Sequence, residues 1–311
     1  METNIGASSI IKWTNQTILG TLNFIFPIVN FVMILILHCS KMKAHHNTFF
    51  TLFKVTGIYG IFSMITSSNS YWSFCESNRF VFVLRKQLNG IGSFCFCTGG
   101  LMIEIQRFIV IRTSRHSENV ISKRLLVLIL IIQFAITAAI MNTYTFATLF
   151  YNDNGCITSM DVQHQMVIYI ASASFYCSYV ILTPILTIIT ISAIRSSDLT
   201  KNIGNKRILS LARYSIYCSA AQMLKGILQI IALISMFTGN EALSSVYSTL
   251  FYLVNLITVN SPIILLFIFS PSVRLLVAQV LCRVKEPSRN SVSGRVSLSQ
   301  QPTQNQPVSI V

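Results

Sequence analysis

The sequence is poor in charge, and poorest in negative charge. Of its 311 residues only 10% are charged, with 9 Asp and Glu against 23 Lys and Arg. Soluble proteins carry roughly 25% charged residues, so a chain with 52% hydrophobic side chains cannot cover a water-facing globule of this size. A membrane protein is the reading that remains. The net charge of +14 does not point to nucleic acid, because the basic residues are diluted into short clusters between long apolar runs.

Catalytic and metal-binding groups are scarce as well. His38, His45, His46, His116 and His164 all fall at the ends of apolar runs or between them. No two could meet a carboxylate at mid-membrane, as the metal site of an intramembrane hydrolase requires. His45 and His46 have no third ligand nearby and read as a solvated loop. The eight cysteines show no metal spacing; Cys95 and Cys97 are two apart on one helix and point to different faces, as packing residues do. No enzyme, metal or cofactor is expected. Coupled transporters carry intramembrane carboxylates and broken helices in matched halves. Here Glu104 is the one acid inside an apolar run, and no fixed-period repeat occurs. A transporter or ligand-gated channel stays as the alternative class.

What the chain does have is seven runs long enough to cross a bilayer. They cover 17–38, 49–71, 88–111, 125–149, 165–194, 212–237 and 246–269. The third contains Gly90, Gly92, Gly99 and Gly100, which suit a central helix that its neighbours approach closely. No basic n-region and cleavage site precede the first run, so it reads as an anchor. One alternating set of loops, with the tail, holds fifteen Lys and Arg and the other holds four. The positive-inside bias puts residues 1–16 outside and the C-terminus in the cytoplasm.

After the seven-helix region 17–269, Ser270 and Pro271 form an N-cap and first helical position, and Val273, Leu276, Val277, Val280 and Leu281 recur at helical spacing. Residues 270–285 are expected to form an amphipathic helix on the inner leaflet. Cys282 at its end is a candidate palmitoylation site. The Ser-, Gln-, Pro- and Asn-rich segment 286–311 reads as a disordered tail. Cys75 and Cys156 are the two cysteines in outer loops, where disulfides persist. Asn15-Gln16-Thr17 is the one glycosylation sequon.

Two sites inside the spans are costly. Glu104 and Arg107 lie three residues apart on one helix face, as an ion pair that either anchors the inner interface or acts as a switch. Lys225 sits at the centre of span six with Gln222 and Gln229 a turn to either side. At about 2.5 to 3.5 kcal/mol for a lipid-facing lysine, that stripe is expected to face the bundle, either to bind neighbouring helices or to contact a ligand.

The order of these features resembles that of a G-protein-coupled receptor. The resemblance rests on seven spans with the N-terminus outside, paired outer cysteines, Arg107-Phe108 at the inner end of span three, Pro184 in span five and Pro262 in span seven. The strings NTFFTLFKVTGIYG, IQRFIVI and FSPSVR are similar to those of nematode serpentine chemoreceptors, closest to the Srv and Srg groups. The resemblance implies an all-α seven-transmembrane bundle in the plasma membrane of sensory cells. It implies a heterotrimeric G protein at the cytoplasmic face and a small-molecule ligand in the outer half, near Phe94, Cys97, Tyr176, Gln229 and Phe251. Glu104, Arg107, Phe108, Asn260 and Pro262 would form the signalling switch. Departures from the rhodopsin-like pattern are plain. Gln106 precedes Arg107 where an acid is usual, so Glu104 would substitute; Ile263, Ile264 and Leu265 follow Pro262 without a Tyr. Span two lacks Asp, span six lacks Trp and Pro, and span seven lacks the Lys that would hold retinal.

Overall fold

The structure, a computed structural model, describes residues 3–40, 48–68, 75–112, 121–196 and 205–282. Its long helices are α1 (Thr3–Cys39), α2 (Thr48–Ser68), α3 (Arg79–Arg112) and α4 (Lys123–Met141), then α6 (Val162–Ser196), α7 (Asn205–Thr238) and α8 (Glu241–Phe269). Between α4 and α6 stand the one-turn α5 (Thr143–Phe146) and the strands β1 (Leu149–Tyr151) and β2 (Ile157–Met160); α9 (Pro271–Cys282) follows α8. Seven helices are long and apolar enough to cross a membrane, and they pack as one bundle around α3, which touches α2, α4, α6 and α7. The end bearing β1 and β2 is termed outer, and the opposite end inner.

Helix boundaries follow from local chemistry. Ser122 Oγ accepts the Leu125 amide at the start of α4, and Asn240 Oδ1 accepts those of Ala242 and Leu243 at the start of α8. Gly239, at φ +62°, lets α7 reverse into α8 through two residues. Ser270 accepts the Arg274 amide, so Pro271 opens α9. The buried face of α9 is Val273 and Leu276, packed into the inner core with Leu37, Phe53 and Tyr214.

Several helices extend beyond the expected spans or divide within them. Helix α1 begins at Thr3, with its membrane-length stretch at Thr17–Cys39 as expected, whereas α3 and its span begin at Arg79, ahead of 88. Arg79, Arg85 and Lys86 therefore stand on a helix rather than in a loop. Polar partners make up for the missing hydropathy. Asn78 Oδ1 caps Phe80 and Val81, Arg85 grips both Glu76 oxygens at 2.5 and 2.6 Å, and Arg79 donates to the Thr145 and Ala147 carbonyls. At the same outer end, the run 125–149 divides. Helix α4 stops at Met141, α5 adds a turn, Ala147 is extended, and Leu149 opens the hairpin.

The antiparallel β1–β2 pair has Leu149 opposite Met160 and a bulge between Phe150 and Tyr151. Its turn is shaped by Gly155 at φ +70° and by Asn152 Oδ1, which accepts the amides of Asn154 and Cys156. A Cys75–Cys156 disulfide and the Ile157 amide on the Glu76 carbonyl tie this hairpin to the start of α3. Leu149, Ile157 and Met160 then close over Phe82 and Val83.

Small and polar residues set the helix spacings. A Cβ on Gly92 would lie 2.8 Å from the Ser63 nitrogen and 2.9 Å from the Tyr59 carbonyl, so α2 and α3 touch backbone to backbone. Ser63 bonds Asn89 and Ser93 at the same crossing. Helix α4 is held by Gln133, which donates to the Cys95 carbonyl and to Thr98. Its Ile131 and Ile136 are more than half exposed, the outward apolar face that lipid would cover.

Candidate functional site

Several of the buried polar residues follow one another from mid-bundle to the inner end: Lys225, Gln222, Glu104 and Arg107. At the inner end Arg107, on α3, is buried with Glu104, Nη1 to Oε1 at 3.7 Å. Arg107 Nη1 also donates to Ser215 Oγ on α7. The guanidinium lies over two rings, Phe49 of α2 at 4.8 Å and Tyr214 of α7 at 4.3 Å. A planar delocalised cation suits this arrangement, bonding in its plane and stacking on its faces. Arg107 thus joins α2, α3 and α7, and the pair is buried within the protein rather than set out at a water interface. Phe108 is half-buried beside it.

Just outward of Glu104 is a cavity of about 30 Å³, bordered by Thr56, Gly100, Glu104, Tyr214, Gln222 and Pro262. That is room for about one water. Beyond it Cys97 donates to Gln222 Oε1 at 3.6 Å, and Lys225 Nζ donates to Asn255 Oδ1 at 3.0 Å across α7 and α8. Gln222, Lys225 and Gln229 are all buried, so the stripe faces the bundle. Cys95 and Cys97 do part, Cys95 toward Thr137 on α4 and Cys97 toward α7.

Of the five residues proposed around a ligand, Phe94, Cys97 and Tyr176 come together. The Phe94 ring stands 6.0 Å from that of Tyr176 and 4.7 Å from Phe175, and Cys97 clusters with Tyr176 and Tyr179. Gln229 accepts from Ser172, one turn outward of Tyr176 on α6. Phe251 packs on Tyr247 and Tyr252 of its own helix. The cavity lies inward of this group, toward Glu104. Of the switch residues, Pro262 borders the cavity, whereas Asn260 turns to α1, where Asn30 donates to its Oδ1 at 2.9 Å.

Sequence reasoning missed Ser215, Tyr214 and Phe49 around Arg107, and no spacing pointed to them. It also missed Asn255, whose signal was present as a second amide beside Asn260 within an apolar run. At the outer end Asp161 accepts the Thr148 amide and binds the backbone and ring of His164. The His164 side chain, followed by these amides, holds the Asp161 carboxyl below its usual value. The side chains of Asn15 and Cys282, the histidines at 45 and 46, and the segment 283–311 lie outside the described residues.

Comparison with known proteins supports the fold. No family model matches the chain, and no curated protein matches it in sequence. Among solved structures, squid rhodopsin superposes with a TM-score of 0.66 over 89% of each chain at 14% sequence identity. The chain thus folds as a rhodopsin-like seven-helix bundle, and each of the seven helices is long and apolar enough to cross a membrane.

Proposed function

We propose that the chain is a chemosensory G-protein-coupled receptor of the plasma membrane, of the kind the nematode serpentine receptors represent. An external small molecule binds among Phe94, Cys97, Tyr176, Gln229 and Phe251, and the inner face signals to a heterotrimeric G protein. The observation that carries this reading is the buried Arg107, held to α3 by Glu104 and to α7 by Ser215. A helix movement that parts α3 from α7 frees the guanidinium for a partner's backbone carbonyls. The basic loops nearby would meet the partner and the anionic inner leaflet.

The column of Lys225, Gln222, the cavity and Glu104 supplies packed polar contacts through which outer occupancy can bias that inner lock. The orientation rests on the distribution of Lys and Arg, with α9 along the inner leaflet. Epitope tags in the segments 152–155 and 197–204 and after residue 290 check it in intact cells. Surface staining of the last would overturn both topology and function.

The functional test expresses the chain with a promiscuous G protein and reads calcium against a panel of volatile and water-soluble metabolites. Arg107→Ala is expected to lose the evoked response at normal surface level, and Glu104→Gln to raise basal signal. Unchanged response per surface molecule in Arg107→Ala would leave the pair as a structural anchor.

A further inference from the structure

Lys225 is the most costly residue in the bundle. It lies near the middle of the membrane-length stretch Arg213–Thr238, about 18 to 20 Å along the axis from either end at 1.5 Å per residue. A lysine side chain cannot reach an interface from that depth. It is buried, as are its neighbours Cys97, Tyr176, Gln222 and Asn255. An ammonium has three donors. Asn255 Oδ1 takes one at 3.0 Å, and the Tyr176 face lies 5.4 Å from the nitrogen. Both partners are neutral. The ion pairs among the described residues are Glu76 with Arg85, Glu104 with Arg107 and Asp161 with His164, so none neutralises Lys225. Glu104, the acid within the spans, is already engaged by Arg107.

From this uncompensated cation and its aromatic surroundings, we infer that Lys225 anchors a subsite for the carboxylate of a small aromatic or apolar monoacid. The inference rests on the receptor reading only in assigning a ligand to this part of the bundle. Beside Tyr176 stand the Phe94 and Phe175 rings, 4.7 Å apart, and one turn outward is the Ser172–Gln229 hydrogen bond. The acid's body would lie against these groups with its charge on Lys225. Rotation of the Asn255 amide would turn its NH2 to the same carboxylate. A single cation matches a single negative charge. A ligand amine would be repelled, and a neutral amide would leave the cation unneutralised.

The test uses the full chain in lipid nanodiscs, with melting temperature and binding measured against 3-phenylpropanoate, benzoate and hexanoate and their amides at millimolar concentration. Each acid is expected to bind at least about tenfold more tightly than its amide, because a charge-assisted bond is made only by the acid. Lys225→Met should abolish this preference and raise the ligand-free melting temperature, because the buried cation is gone. Asn255→Asp supplies the missing carboxylate from within, so it too should melt higher and no longer respond to acids. Equal binding of acids and amides, a preference retained in Lys225→Met, or no acid binding to the unmodified chain would each overturn the proposal. Acid binding without G-protein coupling would refute the receptor reading and leave the subsite standing. Coupling driven by neutral ligands and indifferent to Lys225 would do the reverse.

Discussion

Ser215→Ala removes the acceptor that ties Arg107 to α7 while leaving Glu104 and both aromatic neighbours in place. A hydrogen bond to a charged group contributes about 1.5 to 3 kcal/mol. If the bond exists only in the resting arrangement, its loss moves the equilibrium toward the open one by about 13- to 160-fold. A receptor resting at about 1% active would rise to roughly 10 to 60%. Ser215→Thr keeps the hydroxyl and should stay near the basal level. The assay is ligand-independent nucleotide exchange on a co-expressed G protein, divided by surface receptor. Glu104→Gln acts on the same cation but leaves a buried charge less compensated, so its basal rise should come with reduced thermal stability. Equal basal exchange per surface molecule in Ser215→Ala, Ser215→Thr and the unmodified chain would refute the account of Arg107 as a lock.

Three further outcomes concern stability. The Cys75–Cys156 bridge spans 81 residues, worth about 4 to 5 kcal/mol in the chain-entropy model; either Cys→Ser should lower surface level alike, and the double change no further. Gly92→Ala, whose Cβ would press on the α2 backbone, should cost about 1 to 3 kcal/mol by overpacking, read as a fall in melting temperature, whereas an unshifted melt would mean that α2 and α3 are free to separate. Asp161 has its carboxyl held below the usual 3.8 by His164. Its contribution is present above that pH and lost as pH falls through the lower folded-state value, so acid melting curves should lose this step in Asp161→Asn.

Seven spans and their order were legible because hydrophobic length is a local property, read one segment at a time. The Ser270-Pro271 start of α9 was legible for the same reason, since a cap needs only its own neighbours. So was the inward face of Gln222, Lys225 and Gln229, because a single helix carries the whole stripe and lipid penalises any other rotation. The departures at α3 and at the run 125–149 have a common cause. Arg79 and Arg85 depress the hydropathy of a true helix, and their compensation comes from Glu76 and from carbonyls after α4, which no window along the chain can see. The partners of the costly groups were likewise hidden. Ser215 for Arg107 and Asn255 for Lys225 are chosen by the rotation and axial shift of α7 against α3 and α8. Those placements go with contacts such as Thr258 Oγ1 on the Ala221 carbonyl and Cys97 on Gln222. Composition and period determined which side chains must be buried. Only the packing of helices distant in sequence decided what each would meet there, because a contact is a property of two surfaces and the sequence of either one describes half of it.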